Sequence, residues 1–276
     1  MKNKSVVMKI LIVGSFILVI LLLIVILSLI RMFTPKEINT VEKKVIEETY
    51  SLTDIEDISF DFKKSNSLFE VSDKEELVVV QNSKEEKFYL NYKKKGKKLY
   101  FEEDGYIINP QKKKYIVYIP KSYINKVTII NGFGELEISD ITNDLYINNN
   151  AGEVNINKIG NLKIKDVSGK VTIDNIEGNI EAESSTGNFE IGSLVGTANM
   201  EAITGDIIIN NFDIVGDSKF ENVSGDIIID MKDKAVCTVN YSNERGKTNI
   251  SDDVCADGLN MNIIDANNMT GIIKIY

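Results

Sequence analysis

Histidine and tryptophan are absent from all 276 residues, arginine occurs twice, cysteine twice and proline three times. Each shortage removes a class of chemistry. Without histidine there is no Ser-His-Asp or Cys-His catalysis and no imidazole metal ligand. The two arginines are Arg31 and Arg245, and no basic stripe with interleaved aromatics runs through the carboxyl-terminal half. With 12 basic and 24 acidic residues between 121 and 276, that half repels nucleic acid. The prolines, Pro35, Pro110 and Pro120, all precede residue 121, so nothing beyond them is barred from donating to a strand ladder.

What is abundant instead is a short pattern recurring about every 18 residues. Gly134, Gly152, Gly169, Gly187, Gly205 and Gly225 are each followed, two and four places later, by apolar side chains. These are Leu136/Ile138, Val154/Ile156, Val171/Ile173, Phe189/Ile191, Ile207/Ile209 and Ile227/Ile229. Gly271 repeats the pattern with Ile273/Ile275, and Gly246 does so imperfectly with Thr248/Ile250. Alternation at period 2 marks a strand with one buried face. A second apolar pair follows most of the glycines (Leu145/Ile147, Leu162/Ile164, Ile180/Ala182, Ala198/Met200). One further apolar residue lies between the two pairs (Ile141, Ile159, Ile176, Leu194, Phe212). One unit is therefore strand, corner, strand, corner. No such unit can bury its own face, so the units must stack.

The fold class expected is all-β: a β-solenoid (β-helix-like) ectodomain with about 18 residues per coil, rising about 4.8 Å per coil. One amino-terminal transmembrane helix would precede it. A sandwich of antiparallel hairpins is the alternative that also alternates. Ile207 and Ile227 are expected in one inward ladder, whereas Asp206, on the outward face, is expected to tolerate alanine within about 0.5 kcal/mol.

Residues 10–30 carry no charge and are long enough to span a bilayer. Lys2, Lys4 and Lys9 before them favour a cytoplasmic amino terminus. A cleaved signal peptide is the competing reading, but no small-residue cleavage site follows the run. The expected order is a cytoplasmic tail (1–9), a signal anchor (10–32) and a juxtamembrane helix or linker (33–51). An irregular β cap (52–130) and the repeat solenoid (131–276) complete it. The helix is expected from Pro35 to about Tyr50, because Thr34-Pro35-Lys36-Glu37 resembles a capping box and Ile38, Val41, Val45 and Ile46 follow at helical spacing.

Lysines cluster in the cap at Lys93, Lys94, Lys95, Lys97 and Lys98 and at Lys112, Lys113 and Lys114. Two readings stand. They discourage edge pairing of a solvated hairpin, or they contact an anionic wall polymer or lipid headgroups. Phe88, Tyr89, Tyr92, Tyr100, Phe101, Tyr106 and Tyr115 lie among them, as a recognition surface would require. Cys237 and Cys255 are one period apart, so stacked coils would allow a disulfide. Their differing offsets from the preceding glycines favour two buried thiols instead. Acidic pairs such as Glu181/Glu183 and Asp252/Asp253 alternate with buried residues and read as solubility, not as a carboxylate dyad. Asp253 to Gly258 imitates the start of a calcium loop but places Cys255 where an oxygen ligand belongs. No cofactor, metal or catalytic residue is expected.

Several of these segments resemble a known group, the bacterial adhesin domains of the toast-rack type. The segments are Ile55-Glu56-Asp57-Ile58-Ser59-Phe60 followed by Leu77-Val78-Val79-Val80; Tyr118-Ile119-Pro120-Lys121; and the recurring Thr204-Gly205-Asp206-Ile207-Ile208-Ile209 and Ser224-Gly225-Asp226-Ile227-Ile228-Ile229. The resemblance spans about Leu52 to Tyr276. It implies a β-helix-like fold at the bacterial envelope, with some relatives similar to accessory proteins of envelope-stress signalling, and it offers no catalytic residues to carry over. Three functions follow in order: an envelope-stress accessory that contacts another membrane protein, a surface adhesin, and, weakest, a carbohydrate-active enzyme.

Overall fold

A computed structural model describes residues 44–83, 87–104, 114–233, 235–256 and 261–276. The anchor expected at residues 10–32 lies outside them, as do Tyr106, Lys112 and Lys113. Among the described residues no helix is long and apolar enough to cross a membrane. Lys43–Tyr276 forms one compact unit. Its core runs without a break from Ile55 to Ile275, so it is expected to fold as a domain in its own right.

The repeat residues do what their period demands. Each coil gives one strand to each of two long sheets, and successive coils pair in parallel and in register. On the first sheet Leu136, Val154, Val171, Phe189, Ile207, Ile227 and Ile273 stack as one inward row. Two residues on, Ile138, Ile156, Ile173, Ile191, Ile209, Ile229 and Ile275 form the next row, and both rows are buried. Leu145/Ile147, Leu162/Ile164, Ile180/Ala182 and Ala198/Met200 form the facing rows on the second sheet. Fully burying one such aliphatic side chain contributes about 1.5–3 kcal/mol, so the rows dominate the stabilising terms.

Both ends depart from chain order. The strands Asp57–Phe62 and Asn66–Ser72 form a regular coil, parallel to Lys126–Asn131 and Leu136–Ser139 on one side. On the other side they pair with Lys98–Glu103 and Lys114–Pro120. The solenoid therefore reaches back into the segment expected to be an irregular cap. Its rows there are aromatic, with Phe60, Phe62, Phe69, Phe101 and Tyr115 packed at 4.8–6.0 Å. Three antiparallel strands close the end: Lys44–Tyr50 and Leu77–Ser83 on the first sheet, Leu90–Lys95 on the second. Tyr50 covers the last rungs, 4.8 Å from both Tyr92 and Phe101.

Lys44–Tyr50 corrects the helix expected to reach Tyr50. The helical spacing of Val45 and Ile46 is overridden because the edge of Leu77–Ser83 would otherwise be left unpaired. The remainder of that expected helix lies outside the described residues.

At the carboxyl end the last coil in sequence is not the last in space. Asn262–Thr270 and Ile272–Ile275 insert between the coil of Ser218–Ser224/Ile227–Met231 and that of Ala235–Asn243/Lys247–Ile250. The segment with the complete apolar pattern takes the position with two neighbours. The imperfect one, Thr248/Ile250, takes the exposed end. There Cys237 and Cys255 are joined in a disulfide, their Cα atoms 5.0 Å apart. Closing a loop of this size constrains the unfolded chain by about 3 kcal/mol.

Candidate functional site

The corner leading from the second sheet into the first carries the most distinctive chemistry. Three residues before successive corner glycines an inward polar side chain is buried: Asn131, Asn149, Asp166, Ser184, Asn222 and Asn268, interrupted by Ala202. Asn131 Nδ2 donates to Gly134 O at 2.7 Å and to Asn149 Oδ1 at 2.8 Å. Asn149 Nδ2 donates to Gly152 O at 2.6 Å and to Asp166 Oδ1 at 2.5 Å. Asn222 and Asn268 donate to the glycine carbonyl of the preceding coil, Gly205 O and Gly225 O, at 2.7 and 2.8 Å. Corner carbonyls that the strand ladders do not reach are thereby satisfied. The Asn-x-x-Gly spacing stands in the sequence, but a period-2 apolar reading passes over it as a gap.

Asp166 is the one carboxylate in this ladder. Burial pushes its pKa up, while hydrogen bonds from Asn149, Ser184 and the Gly169 backbone pull it down. A folded pKa above the unfolded one means the ionised form is disfavoured in the fold. Stability from this group therefore grows as pH falls through the folded pKa toward the ordinary carboxylate range. Asp166→Asn should complete the asparagine ladder, raise stability at neutral pH by about 1 kcal/mol and remove that pH dependence. Thermal melts of both proteins from pH 4 to 8 measure it.

One residue after the glycine a second polar chain runs up the corner. Asn188 Oδ1 accepts the Asp206 N–H at 2.9 Å, Asp206 Oδ1 the Asp226 N–H at 2.8 Å, and Asp226 Oδ1 the Ile272 N–H at 2.8 Å. This corrects the expectation that Asp206 is a dispensable surface residue. Its carboxylate serves a backbone donor on the next coil.

Outside these ladders a groove of about 680 Å³ follows the same corner. One wall is a row of solvent-facing side chains: Lys165, Glu183, Glu201, Glu221 and Asn267. The other is the residue two before each glycine. Corner backbone bonds hold these in line: Val167, Ser185, Ile203, Val223 and Met269. Val167, Ile203, Val223 and Met269 are 52, 58, 43 and 42% exposed, so the stripe is uncovered. Lys165 pairs with Glu183 at 2.8 Å and Lys219 with Glu221 at 2.8 Å. Glu201 and Glu244, also on the groove, form no ion pair among the described residues.

The lysine hairpin is at the opposite end. Lys93, Lys94 and Lys95 lie on the edge strand Leu90–Lys95, opposite Tyr100, Leu99 and Lys98. Lys97 is paired with Glu56 and Lys98 with Asp57. Lys114 is 3.0 Å from Glu137 on the first sheet, so it is not part of the hairpin. Of the aromatics expected beside the lysines, Phe101 and Tyr115 are buried in the core and Phe88 packs against that core. Among the described residues Tyr92 and Tyr100 are the exposed rings there.

Glu181 pairs with Lys163 and Glu183 with Lys165 on the outward face. Glu103, buried, is consumed by the N–H groups of Lys63 (2.7 Å) and Lys64 (2.9 Å) and by the Ser65 hydroxyl. Among the described residues no three carboxylates or cysteines converge as metal ligands.

The family model for Toastrack DUF4097 matches residues 46–260. The chain belongs to the Toastrack DUF4097 family. The match begins in the edge strand Lys44–Tyr50 and takes in the lysine hairpin, the corner ladders as far as Asn222 and Asp226, and the disulfide. Solved structures share the toast-rack fold. A candidate adhesin from Bacteroides fragilis is 18% identical, with a TM-score of 0.56 over 84% of this chain and 97% of its own. A second, from Parabacteroides distasonis, is 13% identical with a TM-score of 0.50, over 84% and 98%. A candidate lipid binding protein from the same species is 16% identical with a TM-score of 0.49, over 85% and 96%. The two adhesins, at these identities, speak to fold alone. No curated protein matches the chain.

Proposed function

We propose that this toast-rack protein is a non-enzymatic envelope protein. A single amino-terminal anchor holds its solenoid outside the membrane as a binding and scaffold surface for another envelope or membrane protein, in an accessory role to envelope-stress sensing. The observation that carries the reading is how the polar groups are used. The buried carboxylates Glu103 and Asp166 are committed to hydrogen bonds within the fold, and Glu181 and Glu183 are in ion pairs with lysines. What remains for function is surface. The uncharged run at residues 10–30, with Lys2, Lys4 and Lys9 before it and Arg31 and Lys36 directly after it, supports the anchor and, through the bias toward the amino side, its direction.

The described chain enters at Lys44, on the edge strand of the first sheet, and the lysine hairpin is the edge of the second sheet at the same end. We read Lys93, Lys94 and Lys95 as the contact for anionic headgroups or wall polymer, which favour cations. Neutralising Lys93, Lys94, Lys95, Lys97 and Lys98 together is expected to reduce the salt sensitivity of envelope association and to leave the melting temperature nearly unchanged. In-cell crosslinking of wild type and variant at low and high salt tests this. A partner profile identical in both would return the lysines to edge protection alone.

A further inference from the structure

The groove beside Val167, Ile203, Val223 and Met269 has a composition that selects its occupant. Its lining holds four solvent-facing glutamates (Glu183, Glu201, Glu221, Glu244) and one lysine, Lys165; Glu183 is paired with Lys165 and Glu221 with Lys219, which leaves the charges of Glu201 and Glu244 unpaired among the described residues. An anionic polymer is therefore excluded from this face by like charge. Beside the glutamates runs the exposed apolar stripe, broken only by Ser185. A ligand that satisfies both walls must carry cations on one side and apolar groups on the other, repeating along the axis of the solenoid.

The repeat distance narrows the choice further. Rungs of the stripe rise about 4.8 Å per coil. Side chains at i and i+3 or i+4 of a helix advance about 4.5–6 Å, whereas alternate side chains of an extended strand advance about 6.6–6.8 Å. A helix laid along the corner keeps step with neighbouring rungs, and a strand does not. From Val167 to Met269 the stripe covers four steps, or roughly 19 Å, which is about 13 helical residues.

We infer that this corner groove docks a cationic amphipathic helix of a partner polypeptide. The helix lays its apolar face on Val167, Ile203, Val223 and Met269 and directs its lysines or arginines to Glu201 and Glu244. This rests on the reading that the domain works by binding, but not on its being anchored to a membrane. The two unpaired glutamates, Glu201 and Glu244, supply charge that the fold leaves unused, and the apolar stripe is surface that folding has left wet. Helix-in-groove recognition reads partner residues at this spacing.

The test uses residues 44–276, which contain the whole core, and a fluorescein-labelled 14-residue peptide of leucine and lysine with leucines at i, i+3, i+4 and i+7 spacing. Fluorescence anisotropy should show saturable binding, and the matched leucine–glutamate peptide should not bind. Glu201→Lys with Glu221→Lys, and separately Ile203→Ser with Val223→Ser, should each weaken binding about tenfold without lowering the melting temperature. Two reversals on the other sheet, Asp174→Lys with Glu177→Lys, should leave it nearly unchanged. The inference fails if the leucine–lysine peptide does not bind. It also fails if the serine variant binds as well as wild type, or if the distant reversals weaken binding as much as those in the groove. Any of these results would leave the location of the domain untouched, because that is read separately in cells.

Discussion

Replacing Ile207 with aspartate should destabilise the repeat region severely. Ile207 is fully buried and pairs with Phe189 below and Ile227 above in the inward row. The substituted carboxylate would have aliphatic and aromatic neighbours and no donor, at a cost of about 3–5 kcal/mol, a large part of a domain's net stability. Asp206→Ala provides the contrast one residue away. It removes the acceptor for the Asp226 N–H, so about 1 kcal/mol should be lost, more than a free surface residue would cost. Chemical denaturation of both variants checks the pair. Equal effects would contradict the assignment of inward and outward faces.

Gly225→Ala should be nearly as damaging, for a reason that no side-chain contact reveals. A Cβ built at Gly225 would sit 2.1 Å from the carbonyl oxygen of Gly205, in the coil beneath, and the backbone there has φ near +138°. The neighbouring group is backbone already fixed by the sheet ladders, so it cannot withdraw cheaply. A strained left-handed conformation alone costs about 1–3 kcal/mol, and the overlap adds to it. The expected result is a drop in melting temperature of about 6–12 °C in calorimetry, from a loss of roughly 3 kcal/mol. Gly96→Ala provides the comparison: its φ is +58° but nothing lies within 4 Å of the added Cβ, so the loss should be much smaller.

The regular coils were legible because one residue type recurs at one offset: apolar side chains two and four after a glycine lead directly to the inward rows. Two things were not legible. The first is spatial order at the ends. Asn262–Ile275 and Lys247–Ile250 both carry the repeat, and only the completeness of their apolar pairs distinguishes the inserted coil from the terminal one. The second is the purpose of polar residues at corners. Asn222, Asn268 and Asp206 look like solvated turn residues, yet they serve backbone groups on a neighbouring coil, a relation that needs the stacking register before it can be seen. Phe101 and Tyr115 read as part of a recognition surface for a related cause. A rod's first coils need large side chains to fill the closed end, and density of aromatics does not distinguish that use from display.

The disulfide shows how such offsets mislead. Cys237 and Cys255 stand at unequal distances from their glycines, which argued for separate thiols. The two fall on neighbouring strands, Ala235–Asn243 and Cys255–Ala256, because the chain leaves the coil register near residue 251. Such a bond suits a compartment outside the cytoplasm, in keeping with the location proposed for the domain.

That location is the claim on which the functional account depends, and proteolysis of intact cells measures it most directly. Cells expressing the full chain with a tag at each end are treated with an external protease, then fractionated, and the amino-terminal sequence of the membrane-bound product is determined. The account predicts a protein that pellets with membranes and retains Met1. External protease should remove the carboxyl-terminal tag and spare the amino-terminal one. A soluble product beginning near Thr34, or a carboxyl-terminal tag that survives protease until the cells are lysed, would contradict it.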